Sequence, residues 1–488
     1  VVSSLGQSLP GWPQRLPLLP SCPDDPTKPK PASCMDVFHG FARGAFGSPV
    51  LADFDKDGKP EIVLAAFDGN IRVFHLDGSE LNGFPVALHS TRTQKYNRIW
   101  STPAVGDFNG DGIPDIASGS NEEIGGGGGA GPVFVVDGRG MNAPGSPYLK
   151  DWPITEVSLH LFPVVGEGID SSPAIADMDG DGQPDLLVEG NGAPPTVLKA
   201  DPGVPAGQFA DPPNRLPVVN DPDAGTQQIG FDPTAVFGEL TNAFQPDTMF
   251  PLLSQPAWGD LDEDGTPDVI MSGGSLSLAG SLTGGSYAKP FQHLVAAWSG
   301  KTGHMLPGMP HVVEDYTFFV NESVADVGSA DGPADGYPEI ILGTGAYFLH
   351  AIDGCGREAK GWPKFTNGWI AESAAIGDVN GDHKLDVVVG TRDGNLYAWK
   401  TQGTDDGVVQ WESFHHDNAN SGDYRAKLDQ GTVSTGVTPL VCAVPQEATP
   451  TYDAGGCAVS PKKSEWSFAA LFAAAIGALA FGVRRRKR

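Results

Sequence analysis

One nine-residue pattern recurs along this chain and limits what it can fold into. Asp53, Asp55, Asp57, Gly58 and Glu61 hold positions 1, 3, 5, 6 and 9 of its first copy. Asp107, Asn109, Asp111, Gly112 and Asp115 repeat it, followed by Asp177, Asp179, Asp181, Gly182 and Asp185, and by Asp260, Asp262, Asp264, Gly265 and Asp268. A fifth copy is stretched, with Asp326, Asp331, Asp335, Gly336 and Glu339 carrying the pattern. The sixth consists of Asp378, Asn380, Asp382 and Asp386, with His383 where the others have glycine. Successive copies begin 52 to 83 residues apart. Self-similarity of this kind marks a repeat architecture, in which one unit cannot bury its apolar face alone and must stack on its neighbours.

The spacing has a chemical reason. A calcium ion takes six to eight oxygen ligands at about 2.3–2.6 Å, and a tight loop with carboxylates at alternate positions surrounds it. Glycine at position 6 permits the sharp turn that wraps the chain. Without a cation the crowded carboxylates repel, at about 4 kcal/mol for each pair roughly 4 Å apart at an effective dielectric near 20. Solvated acidic turns would have no reason to repeat one spacing. An EF-hand is excluded because it needs a bidentate glutamate at position 12, and these loops place Leu64, Ser118, Val188, Met271 and Val389 there. The expectation is about five structural calcium sites, with ligands Asp53, Asp55, Asp57 and Glu61; Asp107, Asn109, Asp111 and Asp115; Asp177, Asp179, Asp181 and Asp185; Asp260, Asp262, Asp264 and Asp268; and Asp378, Asn380, Asp382 and Asp386.

Short apolar runs follow the loops, among them Ile62 to Leu64, Leu186 to Val188, Val269 to Met271 and Val387 to Val389. Runs of this length rich in β-branched residues read as strands, so each loop joins two strands of a hairpin. A Ser-Pro-like strand precedes the loop, as at Ser48-Pro49 and Ser172-Pro173, and a third strand follows the second, as at Asn70 to Phe74 and Asn395 to Trp399. An aromatic-Pro element closes the unit at Gly11-Trp12-Pro13, Gly83-Phe84-Pro85, Asp151-Trp152-Pro153 and Gly361-Trp362-Pro363, with Gly308-Met309-Pro310 as a variant. The 65 glycines and 43 prolines, spread over all 488 residues, oppose long helices. Four strands per unit describe a propeller blade. The expected fold is all-β, a β-propeller of about seven (six to seven) four-stranded blades with a C-terminal hydrophobic helix. Leu9 to Leu16 and Trp411 to Asp417 read as closing elements at the two ends. The largest insertions, at 201–250 and 274–290, are the places where a rigid scaffold would carry recognition.

On these loops and strands the chain resembles the FG-GAP/VCBS repeat family, calcium-loop propellers related to the integrin α-subunit head. The resemblance covers roughly residues 40 to 425. It implies that the loops are structural calcium sites in blade hairpins, and that the protein serves recognition or adhesion. The stretched loop at 326–339 and the sixth loop with His383 depart from the family pattern.

The formal charge of −29 opposes binding to phosphate backbones, so nucleic acid is not expected as a partner. The five regular loops hold 18 carboxylates, so much of this charge belongs to the loops themselves. Of the five cysteines, Cys22 and Cys34 bracket a Pro-rich loop and are a possible pair in an oxidising compartment, which leaves Cys355, Cys442 and Cys457. The chain opens at Val1 without a basic-then-apolar export segment, as a processed chain or a fragment would.

Trp466 to Val483 is an 18-residue apolar run, followed by Arg484, Arg485, Arg486, Lys487 and Arg488. It is just long enough to span a bilayer, and the terminal cations would hold that end in the cytoplasm. Gly455-Gly456-Cys457 precedes it across a short spacer. This layout resembles the myxobacterial C-terminal sorting signal, which implies that Cys457 is the residue of processing and lipid attachment. The expected domains are 1–46, an N-terminal closing strand and Pro-rich loop; 47–430, the propeller; 431–456, a linker; and 457–488, the anchor with its membrane span at 466–483.

No His-Glu-x-x-His, Gly-x-Ser-x-Gly or Walker motif occurs. His415-His416-Asp417 is the best candidate for acid–base work or metal ligation, with a closing structural element as the plainer reading. Trp12, Trp152, Trp362 and Trp399 sit at repeat-equivalent positions and are expected to wedge between blades. Asn321-Glu322-Ser323 is an N-glycosylation acceptor sequence. The expected function is that of an exported, surface-anchored calcium-binding propeller that binds an extracellular protein or polysaccharide and is not an enzyme. The alternative is a propeller enzyme, such as a polysaccharide lyase or a quinoprotein-like dehydrogenase.

Overall fold

Strands here are short because glycine, proline and the acidic loops punctuate the chain every few residues. The structure, a computed structural model, describes residues 1–17, 44–88, 98–121, 130–157, 168–190, 195–200, 218–221, 226–229, 249–250, 254–275, 292–303, 305–317 and 319–442. Cys22, Cys34 and Cys457, the linker from 443 onward, the expected span 466–483 and most of the insertions at 201–250 and 274–290 lie outside the described residues. Among the described residues there is no α-helix, and no helix long and apolar enough to cross a membrane.

The first sheet contains β1 (Val50–Ala52), β2 (Glu61–Ala65), β3 (Asn70–Phe74) and β4 (Val86–Ala87) in that order. The second is built from β5 (Ala104–Gly106), β6 (Asp115–Gly119), β7 (Ala130–Val136) and β8 (Ile154–Val157), and the third from β9 (Ala174–Ala176), β10 (Asp185–Val188) and β11 (Thr196–Lys199). A hairpin of β12 (Val218–Asp221) and β13 (Thr226–Ile229) adds to the outer edge of the second sheet, with β13 parallel to β8. The fourth sheet holds β14 (Met249–Phe250), β15 (Ala257–Gly259), β16 (Asp268–Ser275), β17 (His293–Trp298) and β18 (His311–Val313). The fifth consists of β19 (Ser323–Ala325), β20 (Glu339–Gly343), β21 (Phe348–Ile352) and β22 (Lys364–Phe365), and the sixth of β23 (Ala375–Gly377), β24 (Lys384–Gly390) and β25 (Leu396–Thr404). The last strand, β26 (Val409–Trp411), pairs with β19.

In all six sheets of the described residues the strand before the acidic loop (β1, β5, β9, β15, β19 and β23, the first strands below) is antiparallel to the strand after it, and the loop closes the hairpin between them, as its sequence predicted. The second strands are buried on both faces, which is why they read as apolar runs without clean alternation. Alternate side chains nevertheless go to different neighbours. Val105, Ile116, Phe134 and Val136 of the second sheet pack with the first sheet, whereas Ala104, Ala117, Val133 and Val135 pack with the third. Face-to-face stacking of this kind is the arrangement of propeller blades, with the six first strands lying innermost and in sequence order.

A chain of hydrogen bonds runs around these inner strands. Ser48 N donates to Thr102 Oγ1 at 2.9 Å, Thr102 N to Ser172 Oγ at 2.9 Å, and Ser172 N to Gln255 Oε1 at 2.5 Å. Asn321 Nδ2 donates to Gln255 O at 3.3 Å, and Asn321 N to Ser373 Oγ at 3.1 Å. The residue just ahead of each first strand is therefore a small hydroxyl or an amide because it bridges one sheet to the next.

The middle of this arrangement is filled by the chain itself. Residues 408–424 touch all six inner strands: Leu51 N donates to Ala419 O, Val105 N to Ser421 O, Ile175 N to Gly422 O, Asp326 N to Val408 O and Ile376 N to Glu412 O. Asp260 N donates to Gln410 Oε1 at 2.7 Å. Among the described residues no apolar cluster joins the sixth sheet to the first, and this axial segment links them instead, through Ile376 and Leu51.

Among the described residues five X-Pro bonds are cis, at Pro13, Pro85, Pro153, Pro310 and Pro363, one in each of the five closing elements. The glycine ahead of such a pair lets the backbone touch the next sheet, since a Cβ on Gly83 would meet Arg139 O at 2.2 Å and one on Gly308 would meet Cys355 O at 2.0 Å. Gly11 approaches Asp77 of the first sheet in the same way, and Trp12 Nε1 donates to Leu76 O at 2.8 Å. Trp152 is buried between the second and third sheets, whereas Trp399 lies against Tyr397 with ring planes 9° apart and stays partly exposed. Cys355 and Cys442 form a disulfide across 87 residues. Asn321 of the acceptor sequence is fully buried, and its side-chain amide is committed to protein partners.

Candidate metal centres

Each loop sits where the chain reverses between the first and second strand of a sheet, and the backbone fixes its carboxylates. The position 1 carboxylate accepts the N–H of position 6 in every copy, from Gly58, Gly112, Gly182, Gly265, Gly336 and His383, at 2.6–2.9 Å. These six residues have φ between 63° and 91°, the left-handed region glycine enters freely, and His383 adopts it as well. Position 9 accepts the N–H of position 2: Phe54 to Glu61, Phe108 to Asp115, Met178 to Asp185, Leu261 to Asp268, Val327 to Glu339 and Val379 to Asp386. Position 5 accepts from the residue two further on, as in Lys59 N to Asp57 and Gln183 N to Asp181. The stretched fifth loop keeps all three bonds, through Asp326, Asp335 and Glu339.

In the first and third loops the position 1 carboxylate is tied to the backbone through one oxygen only, whereas in the other four both oxygens accept backbone N–H groups. Asp53 Oδ1 and Asp177 Oδ1 are shut off from solvent with no hydrogen-bond partner, the condition a bound cation would relieve. Donor atoms of Asp53, Asp55 and Asp57 lie within 4.8 Å of one another, as do those of Asp177, Asp179 and Asp185, and those of Asp260, Asp262 and Asp268. In the second loop Asn109 supplies an amide between Asp107, Asp111 and Asp115, and Asn109 Oδ1 accepts from Asp111 N at 2.8 Å. In the sixth, Asn380 Nδ2 donates to Asp386 Oδ2 at 2.9 Å. Of the 20 sequence-predicted ligands, Glu61, Asp115, Asp185, Asp268 and Asp386 stand in the second strands and the others in the turns before them, whereas Cys457 lies outside the described residues.

Burial raises the proton affinity of the innermost carboxylates. Asp115 is pushed up to about 7, and Asp185 and Asp260 to about 6, each mainly by desolvation. Asp268 and Glu339 rise well above the carboxylate range for the same reason.

Sequence reasoning missed the cations that reach these loops from the third strands and from the turns just after them. Lys199 pairs with Asp179 and with Asp181 at 2.8 Å, Lys400 pairs with Asp382, Arg139 meets Asp111 at 2.8 Å, and Lys301 meets Asp264 at 3.2 Å. In the first sheet His75 takes this place, with Nδ1 3.2 Å from Glu61 Oε1. A signal was present: His75 lies 14 residues after Glu61, as Lys199 does after Asp185 and Lys400 after Asp386, because each faces position 9 across the second and third strands.

His415, the strongest sequence candidate for acid–base chemistry, belongs to the axial segment. It is buried, and both ring nitrogens lie against backbone carbonyls, Nδ1 2.7 Å from Asn420 O and Nε2 2.8 Å from Pro173 O. His416 stands beside Asp417, whose carboxyl is held at about 2; burial opposes this, but His416 and the Ser421 amide and hydroxyl outweigh it.

Residues 53–118, which contain the first two loops, match the FG-GAP-like repeat. No relative matches among curated proteins. Among solved structures, BBS1N in complex with ARL6DN is similar at 11% identity over 74% of this chain and 82% of that one, with a TM-score of 0.39. BamB from Moraxella catarrhalis is similar at 13% over 74% and 73%, with a TM-score of 0.36. Quinohemoprotein alcohol dehydrogenase from Comamonas testosteroni is similar at 12% over 74% and 61%, with a TM-score of 0.41. These likenesses are too distant to bear on function.

Proposed function

We propose that this chain is an exported, surface-anchored FG-GAP β-propeller of six blades, stiffened by calcium, that recognises an extracellular protein or polysaccharide without transforming it. The observation that carries the calcium reading is the backbone scaffold repeated in six loops, which holds the position 1 carboxylate in the same way each time and leaves Asp53 Oδ1 and Asp177 Oδ1 buried without a hydrogen-bond partner. The Cys355–Cys442 disulfide supports an oxidising compartment, and with it export. Anchoring rests on the resemblance of the Cys457 region and the apolar run at 466–483 to a sorting signal. Recognition rather than catalysis is favoured by the axial segment, which runs along the inner strands where a lyase base or a cofactor floor would stand and holds the His415 ring between two backbone carbonyls.

The test is retention of the full chain on a panel of polysaccharides and whole-cell surfaces, with calcium or chelator, while supernatants are assayed for new reducing or unsaturated ends. Calcium-dependent retention without products is expected. Released products would overturn the recognition reading in favour of a propeller enzyme.

A further inference from the structure

The six loops differ in what faces position 9. Lys199 and Lys400 place an ammonium against the third and sixth loops, and Arg139 and Lys301 bring cations to the second and fourth. The first loop alone has an imidazole in this place. His75 Nδ1 lies 3.2 Å from Glu61 Oε1 and 3.9 Å from Asp55 Oδ2, and the three donors fall within 4.8 Å of one another. Donors around a tetrahedral zinc ion, with Zn–N and Zn–O of about 2.0–2.2 Å, stand roughly 3.4 Å apart.

We propose that the first loop is a transition-metal site, in which Asp55, Glu61 and His75 hold a divalent ion of the zinc class while the other loops take calcium or their own cation. This rests on the reading that the loops are cation sites. Three features carry it. Glu61 is 2% exposed and its Oε2 accepts the Phe54 N–H at 2.9 Å, which aims Oε1 at His75. Asp53 Oδ1, buried in the same loop without a hydrogen-bond partner, is available as a further donor, and the loop's own cation, the exposed Lys59, pairs with Asp57 at 2.9 Å, outside the three proposed ligands. An imidazole nitrogen suits zinc, copper or nickel, whereas calcium prefers an all-oxygen shell, so His75 changes which ion the loop selects. The other histidine-bearing group, Asp378, His383 and Asp405, has an imidazole with 84% of its side chain exposed and no buried acid to orient it.

The test is a cobalt(II) titration of the full chain, stripped of metal and then saturated with calcium, followed by visible absorption. The expected result is a cobalt band that zinc abolishes and further calcium does not. His75→Gln should weaken that cobalt site at least about tenfold, while the calcium-induced rise in melting temperature is kept and His383→Ala leaves the band unchanged. A band of unaltered affinity in His75→Gln, or one that calcium displaces, overturns the proposal. If His75→Gln fails to fold, His75→Asp keeps an oxygen donor facing Glu61; it should lose the band and retain the calcium response, and a retained band overturns the proposal. A His75-dependent band in a chain whose melting ignores calcium would refute the calcium reading and leave this one standing. A calcium response without any band would do the reverse.

Discussion

Asn321 ties two sheets to the axial segment, and its replacement is the sharpest test of how the ring is held. Its Oδ1 accepts from Trp411 Nε1 and from His415 N, both at 2.8 Å, and its Nδ2 donates to Pro256 O at 2.8 Å and Gln255 O at 3.3 Å. The side chain is fully buried, so water cannot replace these partners. Asn321→Leu conserves volume but strands the Trp411 and His415 N–H groups, at about 1–3 kcal/mol each. The expected loss is about 2–6 kcal/mol, against roughly 0.5 kcal/mol for an ordinary surface change. At about 2 °C per kcal/mol for a chain of this size, the melting temperature should fall by about 4–12 °C. Urea unfolding followed by circular dichroism measures the energy directly. Adding Trp411→Phe removes one stranded donor, so it should cost about 1–3 kcal/mol less in the Asn321→Leu background than in the wild type. A loss under about 1 kcal/mol, or strict additivity of the two changes, would refute this account of the axial contacts.

Three further outcomes are expected. Cys442→Ser opens the loop that the Cys355 disulfide closes over 87 residues and should lower stability by about 2–4 kcal/mol in denaturant melts; an unchanged midpoint would contradict that cross-link. Asp181→Ala, which removes an exposed partner of Lys199, should leave the calcium-free melt nearly unchanged and delete one calcium equivalent by calorimetry; global unfolding at saturating calcium would contradict the independence of the sheets. His350 sits between Glu358 at 2.5 Å and Glu314 at 2.8 Å; burial opposes its charge, but the two carboxylates outweigh this and raise its pKa above 6.5. The stabilisation is therefore complete below the unfolded value and fades as pH climbs through the higher folded one. His350→Gln should flatten that alkaline decline in melting temperature, and an unaltered pH profile would count against the pairing.

The repeat made much of the fold legible. Nine-residue loops, apolar runs and Gly-aromatic-Pro elements are local signals, and the hairpins they imply are present, from β1 paired with β2 to β23 paired with β24. What stayed hidden depends on contacts distant in sequence. Trp411 to Asp417 read only as a closing element, because nothing local shows that the segment runs on to Ala419 against Leu51 or that His415 meets Pro173. The cations at the loops were missed because Lys199 faces Asp185 only once the register of β10 and β11 is known. Disulfide connectivity cannot be deduced from cysteine spacing, and Cys355 finds Cys442 because the chain beyond the axial segment returns to the fifth sheet. Asn321-Glu322-Ser323 matches an acceptor sequence, yet the same asparagine is buried and continues the line of inter-sheet bridges begun at Ser48.

The central claim is that the acidic loops are calcium sites that hold the sheets together. Its most direct test is the melting temperature of the full chain, stripped of metal and then titrated with calcium. Binding to the folded state alone adds about 2.7 kcal/mol per site at a hundredfold excess over Kd, so the account predicts a rise that grows with calcium concentration and is reversed by chelator. A melt that does not move with calcium would contradict it.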